Sequence, residues 1–285
     1  MIPTFTHDVN NSFFLWFDNY LANQISGHRT YTTKFYCYKD DTIGSGVVYG
    51  SPYKQWVYDH NVAGATIPSG LTIDGVFTPT GTSGLIFDFQ NGRAIFQNTG
   101  VSSGLAITGT YTVKEYNTYI TDETEETLLV ENKYQTNSRF TVTENAVTPY
   151  DCATPAIFIS AESVTNKGFA MGGMDETTVV MKGVVFAESL FQLDGALSAC
   201  ADAAQRCFKL IPMTAHPLAE FMNLKTGSYP TGYDYVNTSN QYTNKIFIYD
   251  VTTSKMRDSV SKELHPKLNI GFIDFDLGNM RYPRS

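Results

Sequence analysis

The sequence predicts an α+β, β-rich protein: antiparallel β-sheets, a long amphipathic helix packed on the C-terminal sheet, and a short N-terminal helix. Three observations carry this. Runs rich in Tyr, Thr, Val and Ile recur from about Tyr31 to Thr143 and again after Pro149. Clusters of Gly, Asp, Asn and Pro separate them. Two segments alone, residues 10–26 and 189–211, hold the helical period over several turns. The character of the chain changes around Thr148-Pro149-Tyr150-Asp151. This suggests an N-terminal helical arm (1–28), a β-rich region (29–147) and an α+β region (148–285), the last two able to pack as one unit.

In residues 10–26, Phe13, Phe14, Trp16, Phe17, Tyr20, Leu21 and Ile25 recur near the helical spacing. Asn10 or Asn11 can cap this helix and Gly27 can end it. One reading docks the helix on the protein's own core. The other presents Phe13, Trp16, Phe17 and Tyr20 to a neighbouring subunit.

TYTTKFYCY and YTVKEYNTYI read as strands. Residues 84–97, GLIFDFQNGRAIFQ, read as a hairpin in which Asn91-Gly92 forms a two-residue type I′ turn. That turn pairs Gln90 with Arg93 and Phe87 with Phe96. Leu85, Phe87, Phe89, Ala94 and Phe96 then share a face built for burial, and Asp88, Gln90, Arg93 and Ile95 share a mixed one. The tip, Gln90, Asn91, Gly92 and Arg93, is the expected contact with another chain.

The run DETEE (122–126) reads as a solvated loop, because an EF-hand spaces its ligands over about twelve residues around a central Gly. ATPAIFIS is a short buried strand, NKGFAMGGMDET a glycine-rich loop and TTVVMKGVVF a second strand. In SLFQLDGALSACADAAQRCFKLI, Ser189 and Gln192 fit a capping box, an apolar stripe runs from Leu190 to Phe208, and Pro212 stops the helix. KIFIYDVT and LNIGFIDFDL close the fold as strands. No repeat of 20–50 residues is visible, which argues against propellers and solenoids.

Charged residues make up only 17% of the chain, with Thr, Ser, Asn, Gly and Tyr in their place, a mixture suited to sheet surfaces and protein contacts. The net charge of −8 opposes sequence-independent nucleic-acid binding, although an acidic wall can still line a DNA passage. The N-terminus lacks the basic start and cleavage site of a signal peptide, so cytoplasmic synthesis and reduced cysteines are expected. Cys200 and Cys207, on one predicted helix, lie too far apart to bond.

Catalytic motifs are lacking: there is no GxSxG, HExxH or P-loop. GFAMGG (168–173) lacks the GK[ST] ending of a phosphate cradle. His7, His28, His60, His216 and His265 show no ligand spacing. Asp88, Asp274 and Asp276 sit beside aromatics and read as outward-facing strand acids rather than a glycosidase pair. The reading is of a non-enzyme without cofactor or metal.

Several phrases together resemble the virion structural proteins of tailed bacteriophages, especially those of marine and cyanobacterial phages: SPYKQWVYD (51–59), SGLIFDFQNGRAIF (83–96), ATPAIFIS (153–160), FAMGGMDET (169–177) and FQLDGALS (191–198). The resemblance spans roughly residues 12 to 210. It implies a virion component assembled in the bacterial cytoplasm, of the neck or head–tail connector and tail-terminator group. Such a protein self-assembles as a homo-oligomeric ring of six or twelve and contacts portal, neck or tail proteins. It binds no specific nucleic acid and no membrane. In such a ring Asp122, Glu123, Glu125 and Glu126 would form a lumen-facing acidic loop along which DNA slides. A tail-fibre, baseplate or polysaccharide-binding tail protein and a minor capsid or decoration protein are the alternatives.

Overall fold

A computed structural model describes residues 5–38, 46–97, 104–121, 124–130, 136–137, 152–168, 173–211, 235 and 245–281. The chain is β-rich, with antiparallel sheets and a few helices that include one at the N-terminus. That first helix is α1 (Phe5–Ala22), which begins five residues before Asn10. Its residues Ser12 to Asp18 are all buried, so apolar surface surrounds it almost completely. Phe13 stacks on Phe17 at 5.2 Å, Trp16 stacks on Phe208 at 5.0 Å, and Phe17 meets Phe275 edge-on at 5.2 Å. The chain leaves the helix through Gly27, where a Cβ would lie 2.4 Å from the Leu21 carbonyl oxygen. Only glycine fits there.

The first sheet holds β1 (His28–Tyr38), β2 (Val47–Gly50), β3 (Gly70–Ile73), β4 (Val76–Pro79), β5 (Leu85–Asp88), β6 (Arg93–Phe96) and β7 (Ile107–Lys114). Their order is β4-β3-β7-β1-β2-β6-β5, and every neighbouring pair is antiparallel. Trp56 lies fully buried against Tyr111, Phe87 and Phe35. The two-residue turn expected at Asn91-Gly92 occurs instead at Asp74-Gly75. Both residues there have positive φ, 47° and 86°, between the paired Ile73 and Val76.

The second sheet begins with β8 (Asn117–Ile120), so the break between sheets falls inside YTVKEYNTYI at Glu115-Tyr116. Next come α2 (Glu125–Val130), β9 (Thr136–Asn137) and β10 (Cys152–Ala153), the last two a small parallel pair. The long strands β11 (Ala156–Gly168) and β12 (Asp175–Ala187) follow, then α3 (Leu190–Ala201), β13 (Cys207–Lys209), β14 (Lys245–Lys255), α4 (Asp258–Leu264) and β15 (Asn269–Arg281). The order is β13-β14-β15-β12-β11-β8, with only β8 and β11 parallel. One large core cluster takes in α1, the inner faces of both sheets and α3; a smaller one, around Phe158, Phe186 and Ile270, lies on the far face of the second sheet.

The helix expected over 189–211 is shorter than its pattern. The N-cap forms, with Ser189 Oγ accepting from the Gln192 N–H (3.1 Å), while Gln192 Oε1 reaches back one residue past the cap and accepts from the Glu188 N–H (2.8 Å). The helix stops at Ala201 because Gln205 turns left-handed (φ 62°), and Arg206 and Gln205 exchange backbone bonds with Ile248. Cys207 therefore lies on β13 and is exposed, whereas Cys200 is buried in α3. They do not share a helix. Residues read as a glycine-rich loop also differ: 166–168 and 175–177 are strand, while 169–172 lie outside the described residues.

Candidate functional site

The hairpin at 84–97 pairs Leu85 with Phe96, Phe87 with Ala94 and Asp88 with Arg93. This register is shifted by two residues from the expected one, which makes Phe89–Gly92 a four-residue loop. The cause is chemical. Asp88 (0% exposed) accepts from Arg93 Nε at 2.8 Å and Nη2 at 2.6 Å, and from the Asn91 N–H and Nδ2 at 3.0 and 2.8 Å. Satisfying a buried carboxylate this fully requires the two charges to lie opposite each other. The face expected to be mixed is therefore largely buried, with Ile95 and Arg93 at 1% and 5% exposure.

The hairpin tip packs on its own chain. Gln55 N–H donates to Gln90 O (2.9 Å), Trp56 N–H to Phe89 O (2.7 Å) and Ser51 N–H to Gly92 O (2.9 Å). Gly92 and Arg93 are buried, while Gln90 and Asn91 are half-buried. Phe13, Trp16, Phe17 and Tyr20 likewise point into their own core, at 0, 7, 0 and 7% exposure. Little of their aromatic surface is left exposed. Of the acidic run, Asp122 and Glu123 lie outside the described residues. Glu125 and Glu126 open α2 instead of lying in a loop; Glu125 is half-buried and Glu126 exposed.

These two glutamates border a cleft of about 740 Å³, a size typical of ligand sites. Asn10 of α1 and the end of β8 at Ile120-Thr121 form one side of it. Ser160, Ala161 and Glu162 of β11, with Lys182 of β12, form another. Lys182 Nζ lies 2.9 Å from Glu162 and 3.8 Å from Glu125, so one cation is shared by two carboxylates, with Glu126 also on the rim. The hydrogen bond to Glu162 raises the Lys182 ammonium's pKa, against the desolvation that lowers it. Asn10 Oδ1 is sealed from solvent without a hydrogen-bond partner.

Past the cleft, no strand among the described residues pairs with the outer side of β11 beyond Ile159. β8 pairs only with Ala156–Ile159, whereas β12 holds β11 extended through Gly168. Residues 161–168 are exposed on both faces. The Thr121 N–H donates to Ile159 O at 3.0 Å, so the odd-numbered residues of β11 turn their backbone toward β8. The extra residue between Ala161 and Ser163 reverses that alternation. Beyond the bulge Val164, Asn166 and Gly168 point their N–H and C=O groups outward, away from β12.

Deeper in the chain, α1 is tied to both sheets by a buried polar node. Lys114 Nζ lies 2.8 Å from Asp18, which also accepts a short bond from Thr118. Asp59 accepts from Asn19 Nδ2 (2.9 Å) and the Tyr235 hydroxyl (2.6 Å). Burial, and next the Asp18 carboxylate, push the Tyr58 phenol well above its ordinary range. Every charge in this node has a partner, so its chemistry is structural. Asp274 and Asp276 are exposed on β15, facing Lys182 and Val180, while Asp88 sits in its ion pair. Among the described residues no three His, Cys, Asp or Glu side chains are placed to hold a metal ion, and no helix is long and apolar enough to cross a membrane.

Sequence reasoning missed the cleft residues Asn10, Ser160, Glu162 and Lys182 and the extended, exposed outer half of β11. The signal available was the β-branched pair Val164-Thr165 inside a polar stretch, which glycines on its C-terminal side obscured. No protein-family model matches this chain, and no curated protein matches it in sequence.

Proposed function

We propose that this protein is a structural component of a tailed-phage virion, of the neck or head–tail connector group. In this reading it works by contact with copies of itself and with adjacent portal or tail proteins. The observation that supports an assembly role is the outer half of β11: eight residues held extended by β12, exposed on both faces and continued by a cleft, with no second strand beside them among the described residues. Extended edges of this kind bind other chains through their backbone. The phage setting rests on the phrases at 51–59, 83–96, 153–160, 169–177 and 191–198. The test is the copy number per particle by quantitative mass spectrometry, with electron microscopy of the purified protein. Six or twelve copies and ring-shaped assemblies are expected. Hundreds of copies would favour a decoration protein, thin trimeric rods a fibre, and absence from the particle would overturn the reading.

A further inference from the structure

We propose that Lys114 and Asp18 condense to an intramolecular amide, a covalent staple between β7 and α1. The proposal stands on the geometry of the buried node and is independent of the virion reading. Lys114 Nζ lies 2.8 Å from each oxygen of the Asp18 carboxylate. The carboxyl carbon between those oxygens is therefore within the roughly 3–3.5 Å of a near-attack arrangement. Lys114 and Asp18 are buried, at 2% and 3% exposure, so bulk water does not solvate the two charges. The Tyr58 ring covers the amine, its centroid 4.7 Å from Nζ. Thr118 donates its hydroxyl to Oδ1 of the same carboxylate, where negative charge grows during attack.

The condensation uses no cofactor and no oxidant. One ammonium proton passes to Oδ2, which leaves a neutral amine beside a carboxylic acid and removes two buried charges at once. Nζ then attacks Cγ; the Nζ–Cγ bond forms, and the charge developing on Oδ1 meets the Thr118 hydroxyl. A second amine proton passes to Oδ2, the Cγ–Oδ2 bond breaks, and water leaves. The product is a neutral amide with Oδ1 as its carbonyl oxygen. The Asp88–Arg93 pair is as deeply buried, but the Arg93 guanidinium stays protonated and offers no neutral amine. Lys182–Glu162, Lys255–Asp194 and Lys262–Asp258 are partly exposed, and water stabilises their charges. Asp18 and Lys114 lie 96 residues apart, so the amide would close a loop that contains all seven strands of the first sheet and pin α1 to it. A crosslink over such a span restricts the unfolded chain.

The test is intact-mass spectrometry of the folded full chain, followed by denaturation, proteolysis and sequencing of the fragments by tandem mass spectrometry. The chain is expected to be one water lighter than its sequence, with a branched peptide joining the segments that hold Asp18 and Lys114. The branched peptide decides, because Asp74-Gly75 and Asp194-Gly195 can lose the same water as succinimides, which hydroxylamine opens and an amide resists. Lys114→Arg keeps a charge opposite Asp18 but no amine, and should lose the branched peptide. In freshly synthesised protein followed over time, Thr118→Val should slow formation of the branched peptide by about tenfold or more, an effect that a purely ionic contact does not predict. Wild-type chain incubated at neutral pH that yields Asp18 and Lys114 only in separate linear peptides would overturn the inference, whatever the variants do. Copy number per virion is measured separately, so failure of the staple and failure of the virion reading remain distinguishable.

Discussion

Replacing Asp88 by Asn tests whether the buried ion pair sets the hairpin register. The Asp88 carboxylate takes four hydrogen bonds, two from Arg93 and two from Asn91, at 0% exposure. An Asn side chain can still accept from the Asn91 N–H through its oxygen. Its NH₂ would face the Arg93 guanidinium donor to donor, and a guanidinium 5% exposed would lose its counter-charge. Removing one partner of such a pair costs about 3–5 kcal/mol. For a chain of this size that corresponds to a fall in Tm of roughly 6–20 °C. Asp88→Asn combined with Arg93→Met removes the stranded charge and keeps the apolar stem, so the double variant should recover all but about 1–2 kcal/mol. Urea denaturation of both variants, read as a double-mutant cycle, measures this. A single variant losing less than about 1 kcal/mol, or a double variant no more stable than the single, would refute the argument.

Gly92→Ala should destabilise by about 2–4 kcal/mol in the same denaturation assay, because its φ is 65° and a Cβ would lie 2.0 Å from the Tyr53 carbonyl oxygen. Phe17→Ala should cost about 3–5 kcal/mol in unfolding while leaving the oligomeric state measured by light scattering unchanged; the reverse pattern would return this helix to an interface. With a thiol reagent, Cys207 should react in the native protein and Cys200 only on unfolding, since burial pushes the Cys200 thiol far above its ordinary range. Burial likewise pushes the Tyr111 phenol up to about 12, against hydrogen bonds to Ser51 and Thr33 that lower it. Because the folded value exceeds the unfolded one near 10, Tyr111's contribution to stability should hold below pH 10 and be lost between pH 10 and about 12, followed by chemical denaturation across that range.

Features that depend on neighbours in the chain were legible from the residues alone. Ser189 caps its helix with Gln192 reaching back to the preceding turn because these bonds close within four residues, and the apolar alternation of β12, β14 and β15 marks each as strand. The aromatic period of α1 likewise identified a helix, though it could not say whose core the rings would fill. Tertiary structure decided what depends on pairing at a distance. The hairpin register followed the Asp88–Arg93 pair, not the Asn-Gly turn signal, because leaving a buried charge unsatisfied costs more than a turn preference supplies. The helix over 189–211 yielded its last turns to β13, since Phe208 gained burial and the backbone gained partners on β14. The outer half of β11 is the extreme case. Its residues are polar and locally loop-like, and among the described residues it is β12 lying alongside that makes them a strand.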